Sequence, residues 1–353
     1  KQSNILFSLL EIKNKMKKAV ILFNLGGPDK LENVEPFLFN LFNDPAIISI
    51  PSVFRYPLAK LISKRRAPVA KNIYKEIGNK SPILELTQNQ AKSLENSLSE
   101  KDDYKCFVVM RCWHPRAVDV IKKVKEYNPD EVILLPLYPQ YSASTSGSSI
   151  KEWNDLCKKE NYKVKTKTIC CYPTENNFIE SHTVLIKKTL KTLENKNFKL
   201  LFSAHGLPEN KIKKGDPYQW QVEQTVQGIM SKFTNENLDH VICYQSRVGP
   251  LKWIGPSTDE IIIKYSREKK GIVIVPVAFV SEHSETLVEL DIEYKKLAEK
   301  NGCSFYKRVP ALGIEENFIK GLSELVLQKE TRNNFVSSIM CPNKYVKCPC
   351  LGL

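Results

Sequence analysis

Short apolar runs alternate along the chain with stretches in which apolar residues recur every three or four positions. The runs are "AVILFNLGGP" (19–28), "CFVVMRCWHP" (106–115), "EVILLPLYPQ" (131–140), "KLLFSAHGLP" (199–208), "HVICYQSRVGP" (240–250) and "GIVIVPVAFV" (271–280). Each is apolar on both faces and carries Gly or Pro near its end. Such runs, separated by helical periodicity, predict buried parallel strands in an α/β fold.

The pattern echoes itself. "ILFNLGGP" resembles "LLFSAHGLP", and "NPDEVILLPLYPQYSASTSGSS" resembles "EKKGIVIVPVAFVSEHSET". In both halves a strand leads to a loop rich in Ser, Thr or acids, then to a helix. Two similar doubly wound, Rossmann-like domains with parallel sheets follow, with ligands beyond the carboxyl ends of the strands. The expected division is a tail over 1–17, an N-terminal domain over 18–178, a C-terminal domain over 179–330 and a cysteine-rich tail over 331–353. The first half is longer because of an insertion over about 33–81 that contains "PFLFNLFNDPAIISIPSVFRYPLAKLISKRRAP". Its Phe, Leu and Ile content, broken by Pro and ending in Lys64, Arg65 and Arg66, reads as a hydrophobic lip over a pocket or an interfacial membrane contact. The alternative is helices that simply cover the sheet.

Composition narrows the class. Hydrophobic residues make up 42% and charged residues 26%, as in a globular protein. The net charge of +14 allows nucleic acid, an acidic membrane surface or acidic small substrate, or merely Lys-rich composition. The lysines are scattered beside Glu and Asn, and no RNA module or zinc-finger pattern occurs, so no nucleic-acid partner is expected. No apolar run reaches the length of a membrane span. "KQSNILFSLLEIKNK" makes a poor signal peptide, and Met16 looks like a natural start, which leaves the first fifteen residues as a tail or a start-site artefact.

The candidate chemistry is concentrated. Between Glu282 and Glu293 stand Glu282, His283, Glu285, Glu289, Asp291 and Glu293, in a chain rich in positive charge. Glu285, Glu289 and Glu293 recur at intervals of four, which on an α-helix stacks them on one face. Such a row suits proton or metal transfer from a buried site to water; a solvated acidic face is the bland alternative. Of the five histidines, His205 and His283 lie at strand ends on the ligand side, whereas His114, His182 and His240 suit structural roles. HExxH, G-x-G-x-x-G and G-x-S-x-G are all absent, which disfavours a zinc hydrolase, a dinucleotide enzyme and a serine hydrolase.

The motifs "FNLGGP", "KRRAP", "IGNKSPI", "YPQYSASTSGSS", "FSAHGLP", "KGDPY", "YQSRVGPLKWIGPSTDE" and "VAFVSEHSETLVELDIEY" occur in one order over roughly residues 18 to 325. Together they resemble the ferrochelatases, which insert ferrous iron into a porphyrin at the end of heme synthesis. The resemblance implies a chelatase-like pair of domains with the porphyrin in the cleft between them. It implies His205 as the metal-binding or proton-accepting histidine and Glu285 as its partner carboxylate across the cleft. It further implies Glu282, His283 and Glu289 as an acidic path, and Leu25, Arg111, Tyr138, Trp253 and Phe279 as the porphyrin lining. Arg66 matches the basic residue near the lip, and Cys112 stands where the mitochondrial enzymes have tyrosine. Insertion of Fe²⁺ releases two pyrrole protons, and imidazole and carboxylate both accept protons and bind Fe²⁺. Protoporphyrin IX and ferrous iron are then the small-molecule partners; the residues leave coproporphyrin open, and the apolar lip with its cysteine tail favours protoporphyrin. The protein is expected in the cytoplasm, peripheral on the inner membrane through its lip, as a monomer or homodimer.

Cys341, Cys348 and Cys350, spaced C-x₆-C-x-C, are too closely grouped at one end to be core filler. A [2Fe–2S] cluster or zinc needs four ligands, and free thiols are the alternative. The spacing resembles the bacterial version of a tail with which some ferrochelatases hold a [2Fe–2S] cluster. The internal fourth cysteine of the mitochondrial version falls where this chain has Ala143. Cys157, Cys170 and Cys171 are therefore the candidates for the fourth ligand, with the "CCYP" pair favoured. The rival functions are a cobalt or nickel chelatase acting on another tetrapyrrole, and a porphyrin carrier without turnover.

Overall fold

A computed structural model describes residues 15–351 apart from 195–196, 237, 248, 250 and 330. Nearly all of the expected N-terminal tail lies outside the described residues.

All six predicted strands are present: β1 (Lys17–Asn24), β2 (Asp103–Met110), β3 (Glu131–Pro136), β5 (Phe198–His205), β6 (His240–Gln245) and β7 (Gly271–Pro276). Each stops before its apolar run ends, so the last residues of the run form the loop where ligands bind. Three further strands were not predicted: β4 (Lys165–Cys171), β8 (Tyr306–Arg308) and β9 (Phe335–Ser337). β4 opens "KTKT", which hides its strand character, and the other two are too short to show a period.

Two parallel sheets result, ordered β2-β1-β3-β4-β9 and β6-β5-β7-β8. This is the two-domain doubly wound architecture. The boundary expected at 178/179 falls inside the helix Asn176–Leu190. The tail returns to the first sheet, where β9 pairs with β4. The helix Glu316–Leu327 also ends beside that sheet, because the buried Lys167 ammonium on β4 donates to Val326 O at 2.6 Å and Gln328 O at 2.9 Å. A cation at a helix C-terminus satisfies carbonyls that have no partner within the helix.

The insertion forms two helices, α1 (Val34–Phe42) and α2 (Ser52–Lys75). Their inner faces pack Val34, Phe37, Leu38, Ala67 and Tyr74 against Cys112 and Trp113. The outer face of α2 leaves Val53 and Phe54 about two-thirds exposed, at 72% and 66%, with Leu58, Leu61 and Val69 beside them. Among the described residues no helix is long and apolar enough to cross a membrane. Buried amides join the two domains. Gln90, on α3 (Ile83–Leu98), donates to Val280 O at 2.9 Å and Gly313 O at 2.8 Å, and accepts from the Ser281 hydroxyl.

Candidate active site

β5 and β7 are neighbours in the second sheet, so their carboxyl ends lie about one strand spacing, roughly 5 Å, apart. His205 closes β5. The chain leaving β7 turns through Phe279, Ser281 and His283 and enters a helix at Glu285. His205 and Glu285 therefore do not face each other across the cleft, as the resemblance implied. They form one hydrogen-bonded pair, with His205 Nδ1 and Glu285 Oε2 3.0 Å apart. The expected α-helix is a π-helix over Glu285–Glu293, in which the Tyr294 amide bonds to Glu289 O, five residues back. Short π segments inside helices often mark functional sites. The wider turn directs Glu285 and Glu289 to the site and leaves Glu293 exposed in solvent, so the row of carboxylates has two members there rather than three.

The hydrogen bonds fix the histidine tautomers. A carboxylate accepts, so His205 carries its proton on Nδ1 and keeps a lone pair on Nε2. His283 Nδ1 lies 3.2 Å from the Ser281 carbonyl, which also can only accept, and its Nε2 is 3.5 Å from Glu285. Burial disfavours the charged form of both His205 and Glu285. Their mutual attraction outweighs it, raising the pKa of His205 above its usual value and holding Glu285 far below the usual carboxylate range. Glu289 moves the other way. Burial, then the nearby Glu285 charge, raise its pKa.

Glu289 is held by groups that were not anticipated. It accepts from Gln245 Nε2 at 3.0 Å, from the Ser246 amide at 2.9 Å and hydroxyl at 2.5 Å, and from the Tyr294 hydroxyl at 3.0 Å. Gln245 is oriented by Ser203, whose hydroxyl donates to its Oε1 at 2.7 Å. Ser246 adopts φ +59°, a left-handed conformation unusual outside Gly, Asn and Asp, which aims both of its donors at one carboxylate. The signal was the polar Gln-Ser pair at the carboxyl end of an otherwise apolar run, "HVICYQS". Tyr74 was missed as well. It sits buried near the end of α2, in the cluster with Cys112 and Trp113.

Other expected site residues divide. Glu282 is not on the acidic path, because Arg308 Nη1 binds it at 2.8 Å and the Ala311 amide at 2.9 Å. The same guanidinium holds Asp291 through two bonds, which fastens the π-helix to β8. Arg111 is likewise committed, to Asp44 at 3.0 Å, Glu152 at 3.1 Å and Ser148 at 2.8 Å, so its charge is already matched and is not free for a porphyrin carboxylate. Cys112 is only 1% exposed and packs against the inner faces of α1 and α2. Leu25 follows β1 and packs at the edge of the lip cluster. Tyr138 follows β3 and is partly buried. Trp253 bridges to Pro208 and overlies Gly206, where a Cβ would come 3.3 Å from the indole and 2.9 Å from Gln245 O. That close approach accounts for glycine immediately after His205. The Phe279 ring stacks at a tilt on His283, 4.7 Å between centroids. Arg66 is exposed on the lip, its guanidinium 5.9 Å from the Phe42 ring.

A second site lies where the tail meets β4. The sulfurs of Cys170, Cys348 and Cys350 lie within 4.8 Å of one another, all buried. Cys341 packs in the same buried cluster, outside that trio, its sulfur 3.2 Å from Gln221 Nε2. Cys171 lies outside that trio, its sulfur 3.1 Å from the Ser337 hydroxyl and 3.3 Å from Gln221 Nε2. Cys157 packs in a separate core beside Tyr162 and takes no part. Three thiols this close, with no carboxylate or imidazole among them, could hold a soft metal.

The ferrochelatase family profile matches residues 17–330. The chain is 67% identical over 344 residues to a ferrochelatase of Pelagibacter ubique (strain HTCC1062), spanning 96% of this chain and 99% of that one. It is 49% identical to a ferrochelatase of Rickettsia felis, spanning 95% of this chain and 99% of the relative. Among solved structures, it resembles SirB from Bacillus subtilis with Fe3+, with a TM-score of 0.55 and 11% identity over 88% of this chain and 94% of that one. The sirohydrochlorin chelatase SirB from Bacillus subtilis subspecies spizizenii, in complex with cobalt, gives a TM-score of 0.51. At that identity the structural likeness establishes the fold, whereas the profile and the close relatives go further: this chain belongs to the ferrochelatase family.

Proposed function

We propose that His205, Glu285 and Glu289, with His283 behind them, carry out the ferrochelatase reaction, insertion of Fe²⁺ into protoporphyrin to make heme. The observation that carries this assignment is the 3.0 Å bond between His205 Nδ1 and Glu285, because it leaves Nε2 as a base of raised proton affinity. Metallation releases two pyrrole protons for each Fe²⁺ bound. Nε2 accepts a proton to give an imidazolium that the Glu285 carboxylate stabilises. Glu289, with its raised pKa, receives protons next and passes them to water. Nε2 can bind Fe²⁺ only while unprotonated, so metal and proton use it in turn.

Leu25 and Trp253 are assigned to the faces of the macrocycle, with Tyr138 and Phe279 lining its edge and Arg66 near the carboxylates at the mouth. Glu282 is a positioning residue, acting through Arg308. The apolar outer face of α2 supports peripheral contact with the cytoplasmic side of a membrane, from or to which the flat, apolar substrate and product move. Arg55, Lys60, Lys64 and Arg65 on the same helix suit anionic headgroups.

The three thiols, with Cys341 in the same buried cluster, support a [2Fe–2S] cluster held by Cys170, Cys341, Cys348 and Cys350. When bound, such a cluster supplies one-electron redox chemistry; insertion of Fe²⁺, which involves no change of oxidation state, uses no step through it. The test is anaerobic heme formation from protoporphyrin IX and Fe²⁺ by the parent and by His205→Ala. Turnover by the parent and its loss in the variant is expected. Tight porphyrin binding without turnover by either would make the protein a carrier. Iron and acid-labile sulfide assays on anaerobically purified protein test the cluster.

A further inference from the structure

One fully buried side chain joins the thiols to the segment that follows Tyr138. Gln221 lies on the helix Tyr218–Met230 and is 0% exposed. Its Nε2 donates to Cys341 Sγ at 3.2 Å and to Cys171 Sγ at 3.3 Å. Its Oε1 accepts from the Tyr141 amide at 2.7 Å. The chemistry fixes this orientation. A flipped amide would set its oxygen against electron-rich sulfur and its NH₂ against an N–H. Tyr141 stands three residues after Tyr138, and its own ring packs among the cysteines. The neighbouring Gln140 bonds Thr225, one turn further along the same helix, at 3.0 Å. At the start of that helix Tyr218 is buried, its backbone amide bound to the Asp216 carboxylate at 3.1 Å. One helix face thus carries contacts to the thiols and to the segment that follows Tyr138.

We infer that Gln221 is a positioning residue that couples the thiol site to the porphyrin pocket. Its NH₂ group tunes the electron affinity of the cluster, and its carbonyl holds the 138–141 segment in place. The inference rests on the cluster assignment above. Hydrogen bonds to cluster sulfur stabilise the reduced, more negative state and so raise the reduction potential. The carbonyl contact is one buried hydrogen bond, whose loss changes binding about threefold to tenfold.

Gln221→Leu, of similar volume, removes both contacts. The parent and the variant are purified anaerobically and compared in iron and sulfide content, in midpoint potential by mediated dithionite titration, and in porphyrin KM and kcat. Full cluster content, a lower potential and a KM raised about threefold to tenfold with a smaller change in kcat are expected. An unchanged potential and KM would overturn the coupling. Absence of iron and sulfide from the parent would remove the cluster assignment, and the inference with it. If the variant does not fold, the parent decides. Pulsed EPR of its reduced cluster, with glutamine side chains labelled with ¹⁵N, should show coupling to an amide nitrogen, and its absence would overturn the inference.

Discussion

Replacing Glu285 by Gln tests the central pair with little change of shape. The amide oxygen can still accept from His205 Nδ1, so tautomer and ring orientation survive. What is lost is the charge. Burial opposes the His205 imidazolium, and the Glu285 carboxylate is the main group that overcomes it, with Glu289 a lesser one. In the variant His205 should fall from above its usual 6.5 to below it, becoming a weaker base. General-base groups contribute about 10²–10⁴-fold, and with orientation kept the expected loss in kcat/KM is near the lower end, about 10². The assay is anaerobic heme formation from about pH 6 to about pH 9, with the basic group of the profile displaced downward. A kcat/KM within about threefold of the parent, with the same pH profile, would refute the reasoning. Stability gives an independent check. Glu285, depressed in the fold, stabilises above 4.5 and loses this as pH falls through its folded value. His205, raised in the fold, stabilises below 6.5 and loses this as pH rises through its folded value. The parent should therefore exceed Glu285→Gln in stability most clearly between 4.5 and 6.5.

Three further outcomes are expected. His182 is 1% exposed, has no partner for either ring nitrogen among the described residues, and has its pKa pushed down to about 3 by burial. It therefore stays neutral, and its stability cost is absent above 6.5 and grows as pH falls towards 3. In urea unfolding, His182→Leu should gain about 3 kcal/mol on the parent between pH 7 and pH 4, and parallel pH dependences would contradict this. Arg111→Met strands the buried Asp44 carboxylate and should cost about 3–5 kcal/mol of stability while leaving porphyrin KM nearly unchanged; a large rise in KM would return Arg111 to substrate binding. A double change of Val53 and Phe54 to Ser should weaken sedimentation with anionic lipid vesicles about tenfold or more without altering turnover in detergent, whereas unchanged sedimentation would exclude the outer face of α2 as the membrane contact.

How much was legible in the sequence follows from the range of each interaction. Strands such as "GIVIVP" are local statements, and all six were read. His205 and Glu285 were found because each stands at the end of an apolar run. Their direct contact was not legible, since it depends on β5 and β7 being sheet neighbours although β6 lies between them in sequence. The commitments of Arg111 and Glu282 were hidden for the same reason. Their partners Asp44 and Arg308 lie far along the chain, and a charge quoted alone looks free. "CCYP" pointed to the right strand, but choosing Cys170 over Cys171 depends on which face of β4 each sulfur takes, and that strand was itself unread. Gln221 gave no signal because an amide's role lies wholly in what surrounds it.

The three ionisable groups at the strand ends differ in a way that orders them. Two carboxylates separated by about one helical turn would ordinarily share a proton unpredictably. Here the imidazole of His205 binds one of them directly, and Glu285 stays ionised. A carboxylate so held stays ionised, and in the proposed reaction its work is to make His205 basic. Glu289 feels that fixed negative charge, and its pKa rises despite donors from Gln245, Ser246 and Tyr294. Against each group's ordinary value, proton affinity is therefore raised at His205, lowered at Glu285 and raised at Glu289. That order suits a relay in which the first group takes the proton, the second fixes the field and the third carries the proton away. It also makes Glu289 sensitive to the charge of its neighbour. Once His205 is protonated the local field is less negative, Glu289 becomes more acidic, and its own proton leaves more readily. Each proton taken from the porphyrin would thus help expel the one before it, which matches a reaction that must dispose of two.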